Sequence, residues 1–230
     1  MKITWLGHSG FRIEIKDQIL LIDPWFTGNP VFPDGAKEKA VAGATHILLS
    51  HGHGDHSGDA LSVSSETGAP IVGIYDLMSH WEETRGANVI GFNKGGTVKL
   101  GQVSVSLVNA VHSSSLHSEN GPQYAGSEAG FIIRGEGHTI YFSGDTDIMA
   151  DMGWIGEYYA PDIGILCAGG HFTMDMKAAA WAARKFFDFK TVIPCHYKTF
   201  PLLEQSADRL EAELEGVNVL TPDVMEEVAI

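Results

Sequence analysis

The chain has 230 residues, 44% of them hydrophobic, which is enough to fill the core of one α/β domain. Its formal net charge of -14 would repel a phosphate backbone at long range, and no cluster of Lys and Arg is visible, so a nucleic-acid substrate is disfavoured. The apolar segments are too short to cross a bilayer and no signal peptide is evident, so we expect a cytoplasmic protein without a membrane span.

Periodicity in the first half of the chain predicts strands followed by helices. Apolar and polar residues roughly alternate through residues 11–23, which predicts two strands joined by a tight turn. The segment 24–43 is rich in glycine and proline and predicts a long loop beside a functional site. The apolar segment 45–49 predicts a strand, and helical periods follow at 56–66 and 77–84.

The second half interleaves strands and helices, which favours an α/β fold over separate α and β domains. Val103, Val105 and Leu107 alternate with polar residues and predict a strand with one wet face. Residues 131–134 and 139–142 predict a pair of strands joined by a turn. The other predicted elements of this half are a functional loop at 112–126, a helix at 174–187, a strand at 191–194 and a helix at 202–214.

The segment His51-Gly52-His53-Gly54-Asp55-His56 places three histidines and one aspartate between a predicted strand and a predicted helix. Neutral imidazoles and a carboxylate are the ligands that a divalent cation such as zinc prefers. We expect both glycines to remove side-chain bulk that would block convergence of the ligands. His51 and His53 can point one way while Asp55 and His56 point to a neighbouring position, so the segment predicts a site for two metals.

One short loop cannot supply every ligand of two metals, so further ligands are expected at other strand ends. His112 ends the alternating strand, Asp145 follows the segment Tyr141-Phe142-Ser143-Gly144, and His196 follows an apolar segment that ends at Cys195. Each of the three terminates a predicted strand and opens a loop. They are therefore the candidates for the remaining ligands.

This ordered set of residues resembles the metal-ligand series of the metallo-β-lactamase superfamily. The resemblance implies an α/β fold, a four-layer αββα sandwich, as a single domain over residues 1–230. It makes His51, His53 and His112 ligands of one metal, makes Asp55, His56 and His196 ligands of the other, and lets Asp145 bridge both. Asp23, in Leu21-Ile22-Asp23-Pro24, matches a family aspartate that supports the ligand histidines by hydrogen bonding.

Other motifs resemble a branch of small metal-dependent hydrolases that is similar to ascorbate-phosphate lactonases and to the phospholipase D acting on N-acyl phosphatidylethanolamine. These motifs are Trp5-Leu6-Gly7-His8-Ser9, the run 112–115, the segment 169–174 and Pro194-Cys195-His196-Tyr197. They make His8 and His171 candidate substrate-binding residues, although His171 is a variable position in that branch. The roles of His46, His80 and His138 are expected to be packing or surface ones, and His117 stays open.

The resemblance implies a hydrolase in which a dinuclear metal centre activates a hydroxide to cleave a small ester, lactone or phosphodiester. Asp55 is the candidate catalytic residue, because it can orient that hydroxide and handle a proton. We expect two divalent metal ions, zinc by default, with manganese, iron or nickel as alternatives. The substrate can be anionic because bound cations offset nearby carboxylates. The alternatives are an iron-dependent oxidoreductase of the same fold and a non-catalytic metal-binding relative, and the oligomeric state stays open.

Overall fold

The computed structural model describes all residues from Met1 to Ile230 and divides the chain into two halves of similar construction. The first half contains β1 (Lys2–Trp5), β2 (Phe11–Ile15), β3 (Gln18–Ile22), α1 (Lys37–Val41), β4 (His46–Leu49), α2 (Gly54–Ser57), α3 (Ala60–Thr67), β5 (Ile71–Ile74), α4 (Tyr75–Arg85) and β6 (Val89–Phe92). The second contains β7 (Thr97–Leu100), β8 (Val103–Asn109), β9 (Ser115–Ser118), β10 (Gly121–Tyr124), β11 (Ala129–Gly135), β12 (His138–Phe142), α5 (Asp151–Tyr159), β13 (Ile163–Cys167), α6 (Met176–Phe186), β14 (Thr191–Cys195), α7 (Asp208–Glu213), β15 (Asn218–Val219) and β16 (Glu227–Ala229).

The strands form two mixed sheets of seven strands each. The first sheet has the order β16-β1-β2-β3-β4-β5-β6, and the second has the order β15-β14-β13-β12-β11-β8-β7. In both sheets the strands are antiparallel on one side and parallel on the other; the change falls at β3 in the first sheet and at β12 in the second. The last strand of the chain, β16, returns to pair with β1 and completes the first sheet.

The core lies between the two sheets. A single cluster of 60 buried hydrophobic residues draws side chains from both of them. The rings of Phe11 and Phe142, from β2 and β12, meet edge to face with centroids 6.3 Å apart. Burying each large apolar side chain of this kind contributes roughly 1.5–3 kcal/mol. Helices pack outside, with α3 and α4 against the first sheet and α6 against the second, so the predicted αββα sandwich is confirmed.

The strand predictions agree with the structure where a hairpin is local in sequence. Residues 11–23 form β2 and β3, which pair antiparallel around a turn that contains Lys16. Residues 131–134 and 139–142 lie in β11 and β12. The helix predicted at 174–187 runs from Met176 to Phe186, and the side chain of Asp175 caps it by accepting a hydrogen bond from the Ala178 N–H at 2.7 Å.

The helix predicted at 56–66 is wrong as a continuous element. It divides into α2 and α3 because Asp59 leaves the helical conformation, with φ -107° and ψ 0°. Its carboxylate accepts hydrogen bonds from the backbone N–H groups of Phe26 and Thr27 and from the Thr27 hydroxyl, at 2.7–2.8 Å. The break thereby fixes the loop 24–43 beside the start of α3.

The helix predicted at 202–214 is also wrong for its first half, because only Asp208–Glu213 is helical. The N–H of Glu204 donates to the Gly169 carbonyl at 3.0 Å, and the Glu204 carbonyl accepts from the Lys198 N–H at 2.8 Å. The amide of Gln205 donates to two nearby backbone carbonyls. These bonds compete with helical ones and hold the segment as a loop over the second sheet.

The two segments predicted as loops contain short elements of their own. Residues 112–126 include the hairpin of β9 and β10, which pairs in register from Ser118 and Gly121 to Ser115 and Tyr124. Residues 24–43 include α1. None of the helices combines the length and the apolar character that crossing a bilayer requires.

Candidate metal centre

The predicted ligands leave four different strands and meet between the two sheets. Residues 51–56 follow β4 directly, and His196 follows β14 directly. His112 and Asp145 each lie three residues beyond the end of their strands, β8 and β12. Side chains from both halves of the chain therefore share one edge of the sandwich.

His51, His53 and His112 form one group, called here the three-histidine group, whose potential ligand atoms lie within 4.8 Å of one another. Nε2 of His51 lies 3.0 Å from Nδ1 of His53. His51 is fully buried, whereas His53 and His112 are half-buried. Burial lowers the pKa of all three imidazoles, which favours the neutral form that binds a metal.

Asp55, His56 and His196 form a second group, called here the Asp55 group. Oδ2 of Asp55 lies 3.9 Å from Nε2 of His56 and 3.8 Å from Nε2 of His196. His8 joins this group in space, because its Nε2 lies 2.9 Å from the same carboxylate oxygen. The potential ligand atoms of these four residues also lie within 4.8 Å of one another.

Asp145 lies between the two groups. Its Oδ2 is 3.6 Å from Nε2 of His112, 3.3 Å from Nε2 of His56 and 3.0 Å from Nε2 of His196. Burial alone would raise the pKa of this carboxyl, but His56 and His196 outweigh it and hold the pKa well below its usual range. The same contact acts on His56, where burial opposes the charged form but Asp145 and Asp55 raise the pKa well above its usual value.

The unpaired polar atoms of the site fit bound divalent cations. Nε2 of His56 and Oδ1 of Asp145 are buried and have no hydrogen-bond partner. Leaving such an atom unsatisfied costs about 1–3 kcal/mol. A cation bound by imidazole and carboxylate would use both atoms, and the donor set of nitrogen and oxygen suits zinc, manganese, iron or nickel.

Buried hydrogen bonds orient the candidate ligand histidines from the side away from the site. Nδ1 of His56 lies 2.8 Å from Oδ2 of Asp23, so the ring donates to this carboxylate and its Nε2 faces the site. The hydroxyl of Ser50 donates to the same oxygen and lies 3.0 Å from Nδ1 of His51. The Asp23 contact is the one that the resemblance implied. Ser50 was missed, and its position directly before His51 was the only signal for it.

The two glycines of the histidine segment have different surroundings. A Cβ at Gly52 would lie 2.6 Å from Cβ of Ala125, because the segment 112–126 passes directly over this residue. A Cβ at Gly54 would meet nothing within 4 Å. Gly52 therefore makes room for the segment 112–126, whereas a side chain at Gly54 would meet open space.

The remaining histidines lie in several environments. His171 is exposed and stands apart from both ligand groups, and His117 is exposed on β9. His46 and His138 bond to Gln18 and Asp162, and His80 is exposed on α4. His8 is buried, with 1% of its surface exposed, and contacts Asp55.

Two adjoining cavities open onto the ligands. The first, of about 300 Å³, is lined by His53, Asp55, His112, Ser113, Asp145, Phe172 and His196. The second, of about 470 Å³, is lined by Val111, His112, Asp147, His171, Phe172 and Thr173. The cavities share His112 and Phe172 as lining residues. No Lys or Arg lines either of them.

Known proteins are similar to this chain over most or all of its length. A family model described as the β-lactamase superfamily domain matches residues 18–197. A UPF0173 metal-dependent hydrolase from Dinoroseobacter shibae is 67% identical over 230 residues, which is 100% of both chains. The structure of a metallo hydrolase from Ignicoccus hospitalis has a TM-score of 0.88 at 33% identity and covers 99% of this chain and 97% of its own.

One similar structure carries redox chemistry. CmlA, a diiron β-hydroxylase from Streptomyces venezuelae, has a TM-score of 0.74 at 12% identity. The match covers 100% of this chain and 54% of that one. At this identity the likeness concerns the fold alone.

Proposed function

This chain belongs to the metallo-β-lactamase superfamily and is a metal-dependent hydrolase, and from that premise we propose that it uses two divalent metal ions to cleave a small ester, lactone or phosphodiester. The observation that carries the proposal is the position of Asp145. Its Oδ2 lies within 3.6 Å of histidines from both the three-histidine group and the Asp55 group. A carboxylate in this place could contribute to the binding of a cation at each group.

We assign one cation to each group. The three-histidine group offers three nitrogen atoms, and the Asp55 group offers two nitrogens and one carboxylate oxygen. Zinc is the default occupant because it accepts both donor sets in tetrahedral geometry. When bound, such ions act as Lewis acids and make water nucleophilic near neutral pH.

The chain supplies a candidate base and a binding surface around this chemistry. The Asp55 side chain is 31% exposed and faces the first cavity, whereas Asp145 is 2% exposed. Asp55 is therefore the carboxylate that can orient a reacting water and carry a proton to the leaving group. Phe172 and Val111, 52% and 48% exposed, offer apolar surface to the part of the substrate that does not react.

The charges around the cavities narrow the substrate class. Both cavities lack a Lys or Arg, and Asp147 adds a carboxylate to the second. A negative group on the substrate would therefore find favourable charge only at the metals. We accordingly favour a small substrate with at most one anionic group, placed at the bond to be cleaved.

The test couples metal analysis to a panel of substrates. Natively purified protein is expected to hold two divalent ions and to hydrolyse a generic ester, lactone or phosphodiester until a chelator removes them. The matched pair of variants is Asp55→Ala and Asp162→Ala, the second a carboxylate that bonds to His138 on the surface. Iron content with oxygen consumption would favour the oxidoreductase instead, and two bound metals without any turnover would favour a non-catalytic binder.

We further propose that residues 1–230 act as one domain and that the protein works in the cytoplasm. The continuous 60-residue core, which joins both sheets, supports the single domain. The two cysteines, Cys167 and Cys195, are free and buried although their strands pair at these positions, which agrees with a reducing compartment.

A further inference from the structure

His8 occupies a strained and enclosed position next to the Asp55 group. It has a φ of 52°, in the left-handed region that a non-glycine residue rarely adopts. Asp23 and His196, which are both part of the candidate metal centre, also have a positive φ. Strain of this kind is held where the surrounding structure needs a side chain in one place.

Backbone contacts tie His8 to a predicted ligand. The His8 carbonyl accepts one hydrogen bond from the indole N–H of Trp5 at 3.0 Å and another from the backbone N–H of His196 at 2.9 Å. Its ring packs against the ring of His196, with centroids 4.0 Å apart. His8 lines neither of the two cavities, so it reaches the site from behind Asp55.

Asp55 has few contacts of its own to fix its position. It lies on α2, a helix of only four residues, and its side chain is one-third exposed. Nε2 of His8, at 2.9 Å, is its one side-chain hydrogen-bond partner. Asp145, in contrast, is buried and lies against three histidines. The orientation of Asp55 therefore depends on His8.

The hydroxyl of Thr199 contacts the ring nitrogen of His8 that does not face Asp55. Oγ1 of Thr199 lies 2.9 Å from Nδ1 of His8, and this residue is 5% exposed. An ionised carboxylate only accepts hydrogen bonds, so Nε2 must carry the proton that it donates to Asp55. Nδ1 of a neutral ring is then an acceptor. The single proton of the Thr199 hydroxyl has two acceptors within reach, Nδ1 of His8 at 2.9 Å and the Tyr197 carbonyl at 3.2 Å, and we assign it to the shorter contact, which fits the tautomer that Asp55 requires.

From this chain of contacts we propose that His8 is a positioning residue, which holds the Asp55 carboxylate in place for the cation of the Asp55 group, with Thr199 fixing the direction of the hydrogen bonds. The proposal rests on the two-metal function above. It gives His8 an indirect role, through Asp55, in place of a contact with substrate. Outer hydrogen-bond partners of metal ligands typically change metal affinity by about 10- to 100-fold.

The first measurement is a titration of metal-free protein with Co²⁺, followed by absorption and by competition with a chelator. The wild-type protein is expected to show two binding steps. A single step would overturn both this proposal and the two-metal function. Two steps in the wild type leave the two-metal function standing, so the variants below then test His8 alone.

The variants are His8→Leu, which removes the donor, and His8→Gln, which keeps an N–H group near Asp55. His8→Leu is expected to weaken one binding step by about 10- to 100-fold and to leave the other step unchanged. His8→Gln is expected to restore most of the loss. Unchanged affinity at both steps in His8→Leu, or an equal loss at both, overturns the proposal. His80→Leu, on the exposed face of α4, is the matched control and should bind as the wild type does.

Thr199→Val keeps the test decisive if His8→Leu does not fold, because Val has nearly the shape of Thr. It is expected to weaken the same step by about 2- to 10-fold through loss of one hydrogen bond. Equal affinities in Thr199→Val and the wild type would then count against the proposal. X-ray absorption of the cobalt protein supplies the last check: an equal number of imidazole ligands in the wild type and His8→Gln supports positioning. The loss of one imidazole would make His8 a ligand and overturn it.

Discussion

The three-histidine group and the Asp55 group meet at Asp145 but are built differently. The first has neutral imidazoles, and two of them, His53 and His112, are open to the cavity. The second combines the Asp55 carboxylate, which is one-third exposed, with two histidines that are 0% and 1% exposed. Carboxylates surround His56 and raise its pKa, whereas burial lowers the pKa of every member of the first group.

Because of this difference, the two groups would respond differently to metal binding. Nε2 of His56 lies 3.3 Å from Oδ2 of Asp145, so a proton on His56 would offset the charge of that carboxylate when no metal is bound. In the three-histidine group the rings of His51 and His53 are 3.0 Å apart at their nearest nitrogens, and burial favours the neutral form of all three rings. A metal that binds the three-histidine group should therefore meet ligands that are already neutral. A metal that binds the Asp55 group must also displace the proton of His56.

The largest expected effect comes from removing the residue that the groups share. Asp145→Asn takes a charge from both sites while keeping the shape of the side chain. We expect kcat/KM to fall by about 10³-fold or more, because charge stabilisation by metals contributes several kcal/mol. Elemental analysis should show loss of metal from both groups. A variant that keeps both ions and near-normal turnover would refute the central role of Asp145, and Asp162→Asn is the control.

Asp55→Ala should separate the two groups. We expect kcat to fall by about 10²- to 10⁴-fold, because the candidate proton carrier is lost, while the three-histidine group keeps its ion. Steady-state kinetics and metal content on the same sample make the comparison. Retained turnover with normal metal content would remove Asp55 from the mechanism.

The contributions of Asp145 and His56 to the stability of the metal-free protein should be lost at opposite ends of the pH range. The pKa of Asp145 is depressed, so its contribution is complete above the unfolded value of 3.8 and is lost as the pH falls through the lower folded pKa. The pKa of His56 is raised, so its contribution is complete below the unfolded value of 6.5 and is lost as the pH rises through the higher folded pKa. Thermal unfolding at a series of pH values measures the loss at low pH and the loss at high pH.

The change in Tm above pH 6.5 compares the two groups more directly than the change at low pH. In Asp145→Asn the pKa of His56 loses the largest of the contacts that raise it, so the decline in Tm above pH 6.5 should become shallower. Calorimetry of metal binding in buffers of different ionisation enthalpy should show proton release near neutral pH. If the difference in Tm between the metal-free wild type and Asp145→Asn grows between pH 6.5 and 9, the sign of this prediction is wrong.

The smallest effect is expected at the wall of the cavities. Phe172→Ala should raise KM by about 2- to 5-fold with little change in kcat, because a half-exposed ring contributes on the order of 1 kcal/mol of apolar contact. Metal content should not change. The exposed Tyr158 on α5 gives the control variant Tyr158→Ala. A loss confined to kcat would mean that Phe172 acts on the reaction and not on binding.

The sequence alone was sufficient for features that are local. The alternation at 11–23 and 131–142 marks hairpins whose partners are neighbours along the chain, and these form as predicted. The strand-end positions of His112, Asp145 and His196 were also legible, and the structure brings their side chains together. Strand ends gather at sheet edges in this fold class, so position along the chain predicts position in space.

Tertiary structure alone decided the features that join distant segments. His8 and Thr199 are 191 residues apart and meet behind Asp55, and Ser50 and Asp23 are 27 residues apart. The helix predicted at 202–214 loses its first half because Glu204 bonds to Gly169 and Lys198. Periodicity reports the preference of a segment on its own, whereas these hydrogen bonds depend on the paths of loops that only the packed sheets fix. The ligand types were thus set by the sequence, and their support was set by the fold.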